Sequence, residues 1–331
     1  MARGRATLAV LAAAVLVAGC SSAARPRAAL SPIRPASLAI GSKGQLYVAD
    51  DARNQILQAL PGGKFRIIAG NGTAGFSGDG GQADRAELDD PGGMAVAPDG
   101  TIYLADTGNN RVRAITPDGT IETVAGGGSR PGWVGSGAEA AGAELASPAD
   151  VTLSAGGALY IADADQILAL TPAGRLKVIA GSPAATGVPK TAARATRTSA
   201  DDPTGIAFDR SGDLFVFGAA TRTLYMISRS GRVSLPIGRA AFFPRGAAGL
   251  VSAPSGDVLA MDTEQIVQVS RYGIRALDTL PVSLAPDAIA VGASGAIYIA
   301  TWLGSGWSTQ TALARLTAAG TAAIIWRSSA A

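Results

Sequence analysis

Residues 91–126 read PGGMAVAPDGTIYLADTGNNRVRAITPDGTIETVAG. Four short apolar runs rich in Val, Ile and Tyr are separated here by turns of Gly, Asp, Asn and Pro, a pattern that predicts four antiparallel strands. The second run, residues 102–105, is apolar without alternation, which is typical of a strand that is covered on both faces. The stretch therefore predicts a small four-stranded sheet that lies between two neighbours.

The same pattern recurs along the chain. The central residues of its six copies are at positions 48, 104, 161, 216, 260 and 299. Six four-stranded sheets that are covered on both faces stack radially around an axis, so the fold class we expect is all-β, a six-bladed β-propeller of four-stranded antiparallel blades. The predicted propeller domain covers residues 36–331, with blades at about 36–70, 91–126, 148–181, 203–239, 247–281 and 286–327. Because the first strand of repeat 1 and the last of repeat 6 lie inside their own repeats, we expect the ring to close by packing rather than by a swapped strand.

These motifs resemble the NHL-repeat propellers. The likeness rests on Pro91–Val96, Ile102–Asp106 and residues 110–112, and it weakens after the third repeat, where Gly218 and Thr301 replace the strand-end aspartate. The resemblance implies relatives of several kinds. Peptide-amidating lyases and streptogramin lyases rely on histidine, whereas gluconolactonase-like propellers hold a metal with carboxylates and Asn.

Residues 1–19 have the features of a signal peptide, with Arg3 and Arg5 before a short apolar stretch. Residues 17–20, Val-Ala-Gly-Cys, resemble the lipobox of bacterial lipoproteins, which implies that Cys20 is acylated. Residues 20–35 then form a flexible tether. We expect an exported protein anchored through lipid to the outer face of the cytoplasmic membrane, and the Arg- and Ala-rich composition suggests an actinobacterium. The alternative is a secreted protein cleaved after Ala23 or Ala24.

The composition excludes several kinds of site. The chain has 331 residues, one Cys and no His, which excludes Ser-His-Asp and Cys-His catalysis, thiolate zinc sites and a disulfide framework. The net charge of +3 falls to +1 without the two arginines of residues 1–19, and no basic cluster predicts a nucleic-acid partner. Gly-x-Ser-x-Gly and Ser-x-x-Lys motifs are also missing.

Two long insertions, which precede repeats 2 and 3, repeat each other. Each places an aromatic residue, Phe76 or Trp133, 15 residues before a proline, Pro91 or Pro148. Two interpretations remain open: Phe76, Asp79 and Trp133 contact a ligand, or the aromatic residues are plugs that pin each insertion to its blade. The third insertion, residues 181–202, has the composition of a spacer.

Two further groups of residues are candidates for particular roles. Asp50, Asp106 and Asp163 end equivalent strands and, with Asn110, are expected to hold the following turn through Asx-type hydrogen bonds. Asp150 and Asp287 interrupt the small residues near the axis, where they are either ligands of a cation such as Ca²⁺ or solvated groups in a wet channel.

Together these features predict a non-catalytic, membrane-anchored module that binds or scaffolds a protein, peptide or glycan, as a monomer without a cofactor. The alternative is a metal-dependent, gluconolactonase-like hydrolase or lyase that uses the channel carboxylates.

Overall fold

The computed structural model describes residues 33–187, 189–235, 249–261, 265–279, 285–303, 310–316 and 322–327. Its strands form six antiparallel sheets, each built from strands that are consecutive in the chain. The predicted all-β six-bladed propeller is therefore confirmed. Among the described residues, no helix combines the length and the hydropathy needed to cross a bilayer.

The blades have these strands. Blade 1 contains β1 (Pro35–Ile40), β2 (Leu46–Asp50), β3 (Gln55–Leu60) and β4 (Lys64–Ala69). Blade 2 contains β5 (Gly81–Gln82), β6 (Pro91–Val96), β7 (Ile102–Asp106), β8 (Arg111–Ile115) and β9 (Thr120–Gly126). Blade 3 contains β10 (Pro148–Leu153), β11 (Leu159–Asp163), β12 (Gln166–Leu170) and β13 (Leu176–Ala180). Blade 4 contains β14 (Pro203–Phe208), β15 (Leu214–Gly218), β16 (Thr223–Ile227) and β17 (Val233–Ser234). Blade 5 contains β18 (Gly249–Ser252), β19 (Val258–Met261), β20 (Gln265–Ser270) and β21 (Gly273–Thr279), and blade 6 contains β22 (Ala285–Val291), β23 (Ile297–Leu303), β24 (Gln310–Leu316) and β25 (Ala322–Arg327).

The core of the propeller is divided into six apolar clusters, one between each pair of neighbouring blades. All five residues of β2 are buried, as the uninterrupted apolar pattern of the second strands predicts. Blade 6 packs directly on blade 1, where Leu46 and Val48 meet Ala300 and Leu313. Among the described strands none is exchanged between these two sheets, so their ring closes by side-chain packing, as expected.

The folded unit includes residues that the sequence assigned to the tether. β1 begins at Pro35, and Ile33 is buried in the cluster between blades 6 and 1. The Thr311 hydroxyl of β24 donates a hydrogen bond to the Ile33 carbonyl. The chain therefore enters the ring at the junction of its first and last blades.

Three insertions cross from one blade to the outer strand of the next. We call these segments the edge straps: residues 70–90 on blade 2, 126–147 on blade 3 and 181–202 on blade 4. Their backbones make the same hydrogen bond to the outer strand, from Gly80 N–H to Ile121 O at 2.8 Å, from Gly137 N–H to Leu176 O at 2.7 Å and from Ala192 N–H to Val233 O at 2.8 Å. The straps thus cover edges that would otherwise expose unpaired backbone groups.

The third strap corrects the sequence analysis, which gave it the role of a spacer. It follows the same path as the other two because the contacts are made by backbone atoms and by a buried alanine, Ala195, rather than by a distinctive motif. Each strap also starts at a glycine with positive φ, namely Gly70, Gly126 or Gly181. A Cβ on any of these glycines would overlap a backbone carbonyl of the preceding blade, so glycine is needed at these points.

Candidate functional site

The first strands of the six blades surround a cavity of about 320 Å³ on the propeller axis. Equivalent positions of these strands form a ring of small residues with one exception: Ser37, Gly93, Asp150, Gly205, Gly249 and Ala288. Asp150 is therefore the one charged member of this ring; Ser37 also reaches a neighbouring blade, since its hydroxyl donates to Gly92 O at 2.7 Å.

The Asp150 carboxylate connects three blades. From blade 3, its Oδ2 accepts a hydrogen bond from Ile206 N–H of blade 4 at 2.9 Å, and its Oδ1 accepts one from Val151 N–H at 2.8 Å. On the other side it lies against Gly93 of blade 2, where a Cβ would overlap Oδ1. The residue keeps some exposure to the channel, but its enclosed carboxyl group is desolvated, which raises the pKa of Asp150 to about 7.

The channel carboxylates do not form the donor set that a hard cation requires. Both oxygens of Asp150 already accept backbone N–H groups, and Asp287 lines a neighbouring pocket on which Asp150 does not lie. Within the described ranges there is no group of three or more His, Cys, Asp or Glu side chains that could hold a metal ion. Calcium prefers six or more oxygen ligands, so the residues present do not fit such a site.

The first strands begin at one end of the propeller, and the turns between second and third strands lie at the same end together with the edge straps. We call this end the strap face. Asp50, Asp106 and Asp163 are buried here, and burial raises the pKa of each of them.

The hydrogen bonds of these aspartates differ from the expected Asx-type bonds. Asp106 Oδ1 accepts from Asp89 N–H at 2.8 Å, in the segment that enters the blade, and Oδ2 accepts from the Asn109 side chain at 2.9 Å. Asp50 Oδ1 likewise accepts a hydrogen bond from the entering N–H of Arg34 at 3.0 Å. Asp163 Oδ1 accepts from the entering N–H groups of Ala146 and Ser147 at 2.9 and 2.8 Å. Each carboxylate thus joins the entering segment to the side chain three residues ahead, which is that of Arg53, Asn109 or Gln166. Asn110 ends its turn in the left-handed conformation, with φ 52°.

Arg113 fastens the first edge strap, and the sequence analysis did not identify it. This fully buried side chain donates to Asp106 Oδ2 at 3.1 Å, to Asp79 Oδ1 at 2.7 Å and to Ser77 O at 3.1 Å. Equivalent positions in blades 1 and 3 hold Leu57 and Leu168. A charged residue at the centre of β8, where its sister strands are apolar, is the signal that could have revealed this contact.

The two aromatic residues of the straps are partly exposed. Phe76 is 40% exposed. The Arg111 guanidinium stacks on its ring, 3.7 Å from the ring centroid, and the Arg113 guanidinium lies 4.9 Å from the same centroid. Trp133 is 36% exposed. The side chains that fill the space under the straps are instead Leu88 and Leu145, both buried. Two aromatic surfaces are therefore presented on loops whose backbones are held in place.

Six blades built on four antiparallel strands, with a short fifth strand at the edge of blade 2, define together with the strand-end aspartates and the strap-bearing face an NHL-like propeller. The model of the Teneurin NHL domain family matches residues 67–244, more than half of the chain, and the protein belongs to this family.

The relatives of known sequence share a limited segment with this chain. Teneurin-1 of Mus musculus is 40% identical over an alignment of 93 residues that covers 24% of this chain. Teneurin-3 of Danio rerio is 29% identical over an alignment of 195 residues that covers 52% of it. The matched segments cover 3% and 7% of the lengths of those two proteins.

Solved structures with the same fold include enzymes. A streptogramin B lyase has a TM-score of 0.59 at 15% identity, covering 90% of this chain and 84% of its own. A gluconolactonase from Xanthomonas campestris has a TM-score of 0.55 at 14% identity, covering 81% and 83%. At this identity the likeness concerns the fold alone.

We predict that Arg113→Leu, which installs the residue found in blades 1 and 3, lowers the free energy of unfolding by about 3 kcal/mol, because Asp106 loses a buried partner. Hydrogen exchange in residues 77–80 should also rise as the strap loses its attachment. The control Arg175→Leu removes an exposed ion pair with Glu139 and an exposed hydrogen bond to Gly137 O of the second strap, and should change stability by less than about 0.5 kcal/mol. Equal effects of the two variants in urea denaturation would contradict this role of Arg113.

We also predict a pH dependence of stability that comes from Asp150. Its folded pKa of about 7 lies above the ordinary value of 3.8, so between these pH values the folded state retains a proton that the unfolded chain releases. The free energy of unfolding therefore falls as pH rises from about 4 to 7, by at most ~1.4 kcal/mol per pH unit from this group.

Asp150→Asn, which cannot titrate, should remove that slope in urea denaturation measured from pH 4.5 to 7.5. The control Asp84→Asn changes an exposed carboxylate and should leave the slope as it is. If the curves of wild type and Asp150→Asn run parallel, Asp150 is ionised throughout this range and its assigned pKa is wrong.

Proposed function

We propose that the protein is an exported, lipid-anchored propeller that binds a protein, peptide or glycan through its strap face and catalyses no reaction. The observation that carries this proposal is the matched pair Phe76 and Trp133, which are 40% and 36% exposed on two equivalent straps. Both straps are tied to the outer strand of their blade by backbone hydrogen bonds.

This arrangement suits recognition for physical reasons. Binding costs less conformational entropy when the contact residues are held before the partner arrives. Aromatic side chains with few rotatable bonds, together with arginine, are the residues that most often dominate binding energy. Arg111 adds a cation whose position is set by Phe76 and by its hydrogen bond to Asn109 O at 2.8 Å.

The sequence supports the same proposal. Without histidine, catalysis of the lyase type has no general base of the usual kind. The gluconolactonase-like alternative is weaker because Asp150 is engaged by two backbone amides. The proposed module works as a monomer, without a metal or cofactor, and without nucleic acid.

We predict that the double variant Phe76→Ala, Trp133→Ala loses at least about tenfold in affinity for the partner, since two central aromatic contacts are each expected to contribute roughly 1–2 kcal/mol. Crosslinking to bacterial envelope fractions would identify the partner, and titration with the purified partner would measure affinity. Tyr272→Ala is the matched control, because Tyr272 is 90% exposed but lies in the β20–β21 turn at the opposite end. Equal binding by wild type and the double variant would contradict the proposed surface.

We further propose that the mature protein starts at an acylated Cys20 on the outer face of the cytoplasmic membrane. In a bacterial host, Cys20→Ala should abolish labelling by radioactive fatty acid and move the protein out of the membrane fraction, because an acylated cysteine carrying two chains holds a protein on a bilayer stably. Ser21→Ala is the control. Release of wild-type protein into the medium without label would support the secreted alternative instead.

A further inference from the structure

A second cavity, of about 290 Å³, lies in the groove between blades 3 and 4. It is bordered by the third strap and by the turn between β16 and β17, at the end of the propeller opposite the strap face. Two half-buried aromatic rings, Tyr160 and Phe208, pack edge to face in its wall with 4.8 Å between their centroids. Leu214 and Ile227 line the cavity beside them. One wall of the groove is therefore apolar.

Three cationic side chains border the same cavity, and among its described lining residues none is a carboxylate. Lys177 comes from the outer strand of blade 3, Arg194 from the third strap and Arg229 from the β16–β17 turn. The Arg229 side chain lies against Gly212, where a Cβ would overlap its Nε. The groove thus combines an apolar wall with positive charge from three separate elements.

The nearest carboxylate contact of this cluster is to a backbone atom. Asp213 Oδ1 accepts a hydrogen bond from Arg229 N–H at 3.2 Å, while its Oδ2 forms an ion pair with Arg271 at 2.7 Å. The charge of Asp213 is therefore already offset by an arginine of the next blade.

The equivalent groove between blades 2 and 3 has the opposite charge. In the register of the third and fourth strands, Glu122 stands in the position of Lys177. Glu139 of the second strap stands in the position of Arg194, because each forms the isolated bridge between its strap and the outer turn of its blade. The cluster of cations is therefore a property of this one groove and does not follow from the repeat.

Arg194 breaks a favourable pairing that the preceding blade keeps. In blade 3, Glu139 lies opposite Arg175, and their side chains form an ion pair at 2.5 Å. In blade 4 the same bridge places Arg194 opposite Arg232. Like charges directly opposite each other destabilise paired strands, and a bound anion would offset that repulsion. A residue that breaks a local rule in this way is expected at a functional site.

The number and placement of the cations favour a phosphate group over a carboxylate. A phosphate monoester carries close to two negative charges at neutral pH and presents three acceptor oxygens, whereas a carboxylate carries one charge. Arginine guanidinium groups match phosphate oxygens with two parallel hydrogen bonds, and lysine adds a point charge. Three cations that approach from different elements suit a tetrahedral group better than a planar one.

We propose that this groove binds a small organic phosphate. Lys177, Arg194 and Arg229 contact the phosphate oxygens, and the apolar part of the ligand packs on the rings of Tyr160 and Phe208. The site is separate from the strap face, and the proposal does not depend on what that face binds.

Titration calorimetry with phenyl phosphate at pH 7.5 tests the proposal. We expect saturable binding of one molecule per chain. Inorganic phosphate, which has the charge but not the ring, should bind at least about fivefold more weakly because it leaves the apolar wall uncovered. The absence of saturable binding, or equal affinity for the two phosphates, would overturn the proposal.

Arg194→Glu separates binding from folding, because it gives blade 4 the Glu–Arg pairing of blade 3. The affinity for phenyl phosphate should fall at least about tenfold, since a charge-assisted contact is replaced by repulsion. The midpoint of urea denaturation should be no lower than that of the wild type. A loss of binding accompanied by a lower midpoint would overturn the proposal, because damage to the fold would then account for it.

Arg197→Glu is the matched control. It makes the same change of charge on the same strap, but Arg197 is exposed and does not line the cavity, so affinity should stay within about twofold of the wild type. Equal losses of affinity in the two variants would overturn the proposal in favour of unspecific attraction. Vesicles of phosphatidylglycerol test a lipid as the source of the phosphate. If they retain the wild type but not Arg194→Glu, and phenyl phosphate does not compete, a small soluble ligand is excluded and the proposal is overturned.

Discussion

Each sheet of this propeller buries both of its faces against the sheets on either side, and almost everything else follows from that. Second strands such as β2 need no polar residues for solvent, so they are apolar up to the buried aspartate that ends them. The core is distributed over six interfaces rather than gathered in one place, so stability depends on contacts between neighbours. The ring must also close, because an open end would leave one sheet with an apolar face in water.

When the faces of a blade are covered, its outer strand still exposes unpaired backbone groups along one edge. In blades 2, 3 and 4 a strap covers that edge. The same segments carry Phe76 and Trp133, so the protection of an edge and the presentation of a surface are done by one piece of chain. Arg113 connects the blade to its strap, because its side chain forms ion pairs with Asp106 of the second strand and with Asp79 of the strap. A buried ion pair of this kind contributes more to holding one geometry than to net stability.

The sequence predicted the fold well because strand period and turn residues are local signals that repeat. Blade number, strand order and the mode of closure all followed from the repeats. The charge at the centre of β8 marks Arg113 as unusual, but it does not identify the partners of this residue, which lie in a segment more than 30 residues earlier. The sequence analysis interpreted the third strap as a spacer because this strap is held by backbone hydrogen bonds and a buried alanine. Many different sequences can make these contacts, so no motif marks them. The repeats single out the strand-end aspartates as a group, but spacing alone does not reveal that each also accepts an amide of the entering segment.

Closure without a swapped strand has a mechanical consequence. The chain itself joins the neighbouring blades at five of the six junctions, whereas no segment among the described residues joins blade 6 to blade 1. The N-terminal segment enters at this junction, where Ile33 packs between the two blades and Thr311 holds its carbonyl. A force applied to the chain at Ile33 is therefore carried first by the junction of blades 6 and 1, which in the described residues is held closed by side-chain packing and hydrogen bonds.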